Sequence, residues 1–206
     1  MEKSKLNLNL VDDAPSLDIV PWKLPVPAVR FDLTSFKKIQ QTRKFINRSI
    51  YNLSQNILYQ NYFFTDDSKT EVGVAAAAVS TNRINKPFTC RLPDDSSIYT
   101  ADLRAILLAL KHVYYSKGKS FLILSDSLLS LRSILNLKYD HPVLVQILEL
   151  YTEITRDGRE IVFVWVPGHV GIRGNSAADY ASKDALDGDI SVELIPFSDL
   201  KPRTNK

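Results

Sequence analysis

From Tyr62 onward, short apolar strand patterns alternate with longer helical ones, and this alternation confines the chain to an α/β fold with a mixed sheet. YFFTD (62–66) reads as a strand. VGVAAAAVS (72–80) fits strand or helix by period alone. Its length, the turn-like DDSKTE before it and the polar TNRINK after it favour a strand. PFTCRL (87–92) is a third strand. A helix is expected over 97–116, with Asp102, Ile106, Ala109 and Val113 along one face and Gly118 beyond its end. FLILS (121–125) and EIVFVWV (160–166) are buried strands. Helices are expected over 127–135, 142–158 and 174–186. The order is βββ-α-β-αα-β-α.

The flanks differ from this region. Residues 1–30 hold Pro15, Pro21, Pro25 and Pro27 and read as an extended lead-in. Within it Trp22 either pins the segment to the domain or stacks on a ligand. Residues 31–60 form a basic helical or irregular connector. There Lys37, Lys38, Arg43, Lys44 and Arg48 form either a solvated face or a nucleic-acid contact. Residues 61–190 make the main domain, and 191–206 a C-terminal tail. A hydrophobic content of 45% and a charged content of 24% exclude a wholly disordered chain. The single cysteine, Cys90, excludes an internal disulfide framework and a cysteine-rich zinc site. His112, His141 and His169 are too dispersed for a histidine-rich metal site. The polar N-terminus lacks a signal-peptide pattern, and no apolar run approaches the roughly 18 residues of a membrane span. An intracellular protein without a membrane partner is expected. The net charge of +3 permits nucleic-acid binding without arguing for it.

Four carboxylates occupy unusual places. Asp66 and Asp126 end the first and fourth strands. If those strands are parallel neighbours, both side chains meet at one sheet edge, where α/β folds gather ligands. Asp102 lies on the apolar face of the first helix, where an unpaired carboxylate is costly. Asp179 lies in the last helix among Ala177, Ala178 and Ala181, which allow close approach. Each has a plainer reading: Asp66 as a turn residue, Asp126 as a helix cap, Asp102 as a helix-start charge, Asp179 as a surface acid. Together they point to a hard divalent cation, Mg²⁺ or Mn²⁺. VPGHVGIRG (166–174) is a glycine-rich loop that carries His169 between the last strand and last helix, a place suited to a catalytic helper.

These segments resemble the ribonuclease H type 1 family, most closely the nuclease domains of non-LTR retrotransposon polyproteins. FTDDSK (64–69) is similar to the family's TDGS segment and IYTADLRAILLAL (98–110) to its TAELRAI helix. LSDSLLSL (124–131) is similar to its TDS segment, and VPGHVGIRGNSAADYAS (166–182) to its GHxGxxGNExAD segment. VPWKLP (20–25) and IPFSDLKP (195–202) resemble what precedes and follows such domains. The resemblance implies an RNase H-like fold, a five-stranded mixed sheet in the order 3-2-1-4-5 flanked by helices. It implies endonucleolytic hydrolysis of the RNA strand of RNA/DNA hybrids. Asp66, Asp102, Asp126 and Asp179 would hold two Mg²⁺ ions, with Mn²⁺ as substitute, and His169 would assist proton transfer or product departure. Ser68, Ser127 and Asn175 would contact substrate. A reverse transcriptase domain of a parent polyprotein is an implied partner, and a monomer is expected. Three residues depart from the pattern: Asp102 replaces Glu, Asp67 replaces the Gly of TDGS, and Ser176 replaces the Glu of GNExAD.

Other functions compete. FTDD also fits the aromatic-x-Asp-Asp signature of reverse transcriptases, but too little chain precedes Phe64 for a palm and fingers. A transposase or integrase of the same superfold would lack the GHVGIRGN loop. An impaired or inactive nucleic-acid-binding module derived from a retrotransposon is the main alternative, because of Asp102 and Asp67.

Overall fold

The computed structural model describes residues 11–12, 24–35, 48, 61–83, 86–137, 140–191 and 195–200. Among these the strands are β1 (Val11–Asp12), β2 (Ala28–Arg30), β3 (Asn61–Lys69), β4 (Val74–Ser80), β5 (Phe88–Leu92), β6 (Ser120–Ser125), β7 (Glu160–Trp165) and β8 (Ile195–Pro196). The helices are α1 (Ile98–Tyr115), α2 (Leu128–Leu135), α3 (Pro142–Arg156) and α4 (Arg173–Asp184). The main sheet runs β2-β7-β6-β3-β4-β5. Strands β3, β4 and β5 pair antiparallel, whereas β3, β6, β7 and β2 pair parallel. This is the mixed α/β architecture of the RNase H-like fold.

The five strands expected from sequence stand in the expected order, but the sheet has six. The added strand, β2, comes from the proline-containing lead-in and pairs with the outer edge of β7, Val29 opposite Phe163. Proline cannot donate to a ladder, so Pro25 and Pro27 are compatible only with an edge position. Three residues are too few to show a period of two, which is why this strand reads as a plain extended segment. The lead-in is further tied down where the Ala28 N–H donates to the Tyr151 hydroxyl at 3.3 Å. Trp22, Lys37, Lys38, Arg43 and Lys44 lie outside the described residues, and Arg48 is exposed.

Side chains alternate between two cores. Phe63, Ala78, Phe121, Ile123 and Phe163 face one cluster with α1 and α3, including Ile106, Leu110, Ile147 and Leu148. Phe64, Ala77, Val79, Leu122, Leu124 and Val164 face the other, with Ala178 and Ala181 of α4. Strand β4, VAAAAVS, is wholly buried. Alanine has high helix propensity, but here a helix packs on each face of the strand. Its small side chains let both approach, so packing overrides propensity.

Helix α1 starts where the Ser97 Oγ accepts from the Thr100 N–H at 3.0 Å. The C-terminal segment is anchored to the same place. The Asp199 Oδ2 accepts from the Ser97 N–H at 2.9 Å and from the Thr100 hydroxyl at 2.6 Å. Among the described residues no helix is long and apolar enough to cross a membrane.

Candidate active site

The parallel ladder between β3 and β6 ends at Thr65 opposite Ser125. The next residues, Asp66 and Asp126, therefore emerge side by side at the carboxyl edge of the parallel strands. The structure corrects one detail of the sequence reading. Asp66 does not end its strand, because β3 continues to Lys69 along β4 alone. Strand β6 does end, because Ser127 caps α2: its Oγ accepts from the Ser130 N–H. Ser127, not Asp126, is that cap. The backbone of Asp126 is held by the Trp165 indole N–H, which donates to its carbonyl at 3.0 Å.

Alternation along β3 then sorts the acids between the faces. Phe64 and Asp66 share the α4 side, and Phe63 and Asp67 share the α1 side. Asp179 stands on α4 and Asp102 on α1. Interactions follow this division. Asp66 is in the field of Asp126, Asp67 and Asp179. Asp67 lies in the fields of Asp126 and Asp179, and its charge bears on Asp102. The structure thus brings Asp66, Asp102, Asp126 and Asp179 into one electrostatic cluster, with Asp67 linking its two halves.

The cluster resists ionisation. Burial, followed by repulsion from Asp126, pushes Asp66 from 3.8 to about 8. Its Oδ1 accepts from the Asp67 N–H at 2.9 Å, but its Oδ2 is buried without a hydrogen-bond partner. Burial and the Asp67 charge push Asp102 to about 8, against the Ser127 hydroxyl that donates to its Oδ2 at 2.6 Å. Burial also raises Asp67 and Asp126. For Asp126 the Asn175 amide, donating at 3.3 Å, and His169 oppose the rise. Asp179 is more open, with its side chain 25% exposed and paired with Lys183 at 2.8 Å.

A divalent cation fits this donor set. The candidate donor atoms are all carboxylate oxygens, and one of them is buried and unpartnered. Among the described residues, no three His, Cys, Asp or Glu side chains are already gathered as a metal-binding group. Burial and neighbouring carboxylate charge raise both Asp67 and Asp102, a cost that a bound cation would offset.

The loop after β7 is shaped around Asp126. A Cβ at Gly168 would lie 2.5 Å from the Asp126 Oδ2. His169 is exposed, adopts φ 55°, and lies near enough to Asp126 to favour its charged form. Gly174, in the first turn of α4, sits where any Cβ would strike the Phe64 ring at 2.1 Å, so it sets how closely α4 approaches β3. The three residues expected to contact substrate are placed as follows. Ser68 is buried, Ser127 is turned to Asp102, and Asn175 is buried with its amide on Asp126. Asp67 was legible as a departure from the TDGS pattern that adds a charge beside the site, and it lies in the fields of Asp126 and Asp179. A cavity of about 480 Å³ bordered by Ser97, Tyr99, Leu129, His141 and Asp199 contains none of these carboxylates.

In comparison with known proteins, the RNase H family model matches residues 59–187. No curated protein matches the chain.

Proposed function

Because the chain belongs to the RNase H family, whose model spans more than half of its length, we propose that it cleaves the RNA strand of RNA/DNA hybrids with two divalent metal ions. The observation that carries this reading is the convergence of Asp66, Asp102, Asp126 and Asp179 at one sheet edge, with a buried Asp66 oxygen lacking a partner. Asp66 and Asp126 would form the centre of the ion site, flanked by Asp179 on one side and Asp102 on the other. Bound Mg²⁺ or Mn²⁺ would supply an activated water and neutralise charge on the leaving oxygen.

The chain's own residues set up the rest. Asn175 orients Asp126 through its amide. Ser127 holds Asp102 by its hydroxyl. His169, exposed in the loop after β7, would carry a proton to or from the product. The domain proper would span 61–190. The motif segments also support descent from a retrotransposon polyprotein, in which a reverse transcriptase domain would be the natural partner.

The test is cleavage of a labelled RNA/DNA hybrid with Mg²⁺, with Mn²⁺ and with excess chelator. Metal-dependent cutting confined to the RNA strand is expected. Hybrid binding without cutting in either metal would favour an inactive binding module instead.

A further inference from the structure

We propose that Asp199, in the C-terminal segment, is a positioning residue for the ion site: it fixes the start of α1 and thereby the reach of Asp102. The inference rests on the metal-dependent reading above and adds to it a residue outside the matched span 59–187.

The start of α1 lacks one of its usual partners. Ser97 caps the helix by accepting from the Thr100 N–H. In a reciprocal cap the third helical residue is Glu or Gln, whose side chain accepts from the N–H of the cap residue. Here that third residue is Thr100, and its hydroxyl turns elsewhere. The acceptor comes instead from 102 residues further along the chain, where the Asp199 Oδ2 takes the Ser97 N–H at 2.9 Å and the Thr100 hydroxyl at 2.6 Å.

Proton counting sets the direction of the whole network. Thr100 has one hydroxyl proton, and it goes to Asp199. The Thr100 oxygen therefore accepts from the Ser97 hydroxyl at 3.0 Å and from Nε2 of His141, the residue that begins α3, at 3.0 Å. A carboxylate, which only accepts, is a fitting end for these donors. The segment that carries it is itself held, because Ile195 is buried and pairs with Val11 through β8 and β1.

Asp102 stands two residues after Thr100, and its Oδ2 is tied to the start of α2 by the Ser127 hydroxyl at 2.6 Å. Its side chain is one methylene shorter than Glu and has little reach with which to follow a shift of the helix. The placement of the first turn of α1 therefore sets where this carboxylate meets an ion. In a catalytic assembly a displacement of about 1 Å can cost on the order of 10²-fold.

The experiment is calorimetric titration of the full-length protein with Mn²⁺, using wild type, Asp199→Ala, Asp199→Asn, Asp102→Asn and the double variant Asp199→Ala/Asp102→Asn, with hybrid cleavage kinetics in parallel. Asp199→Ala is expected to weaken ion binding about tenfold. It is expected to lower kcat by about tenfold while KM stays within about twofold. Asp199→Asn keeps an oxygen for both donors and is expected to stay within about twofold of wild type. In the Asp102→Asn background, Asp199→Ala is expected to cost less than about twofold, because the carboxylate it positions is gone. Thr100→Val removes the same contact from the helix side and takes the place of Asp199→Ala should that variant not fold. Unchanged ion affinity in Asp199→Ala, with wild-type cleavage intact, refutes the inference alone. An equal loss in both backgrounds refutes it too, since the effect would then be a general loosening. Tighter hybrid binding by Asp199→Ala in Ca²⁺ would show instead that Asp199 competes with a substrate phosphate, and also refutes it. A wild-type protein that neither binds ions nor cuts hybrid refutes the underlying reading as well.

Discussion

Replacing Asp66 by Asn should stabilise the metal-free protein at high pH while destroying its activity. The cost of Asp66 comes from burial first and Asp126 second, which together raise it from 3.8 to about 8. Between these values the folded chain keeps a proton on Asp66 that the unfolded chain releases. Stability therefore falls as pH rises through that window and levels off above about 8. At about 1.4 kcal/mol per tenfold change in protonation, the ceiling is on the order of 6 kcal/mol. Asp67 and Asp102 are also raised, and relaxation and water entry lower the effective penalty. A net gain of about 1–3 kcal/mol for Asn is expected at pH 8.5. For a chain of this size that is roughly 3–10 °C in melting temperature.

The assay is thermal unfolding in chelator at pH 5 and pH 8.5, repeated with Mg²⁺. Asn can keep the bond from the Asp67 N–H and places an amide where the Oδ2 lacks a partner. Near pH 5 the variant should gain only the small part of this difference set by the first pH unit or so above 3.8. With Mg²⁺ at pH 8.5 the order should narrow or reverse, since only the wild type gains fully from ion binding. An identical difference at both pH values, or a variant less stable at pH 8.5 in chelator, would refute the electrostatic argument.

Asp126→Asn should abolish hybrid cleavage, by at least about 10²-fold, while leaving hybrid affinity measured in Ca²⁺ near wild type. Gly168→Ala should slow cleavage more than it weakens binding, because the new methyl would press on the Asp126 carboxylate; comparable kcat with wild type would show that the loop yields. Asp199→Ala should lower stability by about 0.5–2 kcal/mol in a denaturant titration, since it removes the acceptor for the Ser97 N–H and Thr100 hydroxyl at the start of α1.

What the sequence shows about this molecule follows the length scale of each signal. Strands β6 and β7 and helices α1, α3 and α4 are long enough for periodicity to identify them, whereas the cap of α2 is Ser127 rather than the Asp126 its sequence suggests. Strand β2 was hidden because its identity depends on a free edge of β7, a property of the assembled sheet. The extension of β3 past Asp66 was hidden for a similar reason. DDSK is polar and turn-like in isolation, but β4 still supplies backbone partners as far as Lys69.

The same distinction separates the readable part of the site from the unreadable part. Asp66 and Asp126 were legible because both close apolar strands, and Asp102 because an acid interrupts the apolar face of a helix. The role of Asp67 depends on which helix covers which face of β3. Two adjacent acids on a strand must point to opposite sides, so their partners are fixed only when the crossover through α1 and the return through α4 are known. Here those helices bring Asp102 to one side and Asp179 to the other. The DD pair thus acts as a bridge through the sheet between carboxylates that would otherwise belong to separate faces. Substituting glycine at 67 would remove from the α1 half the carboxylate whose charge raises Asp102.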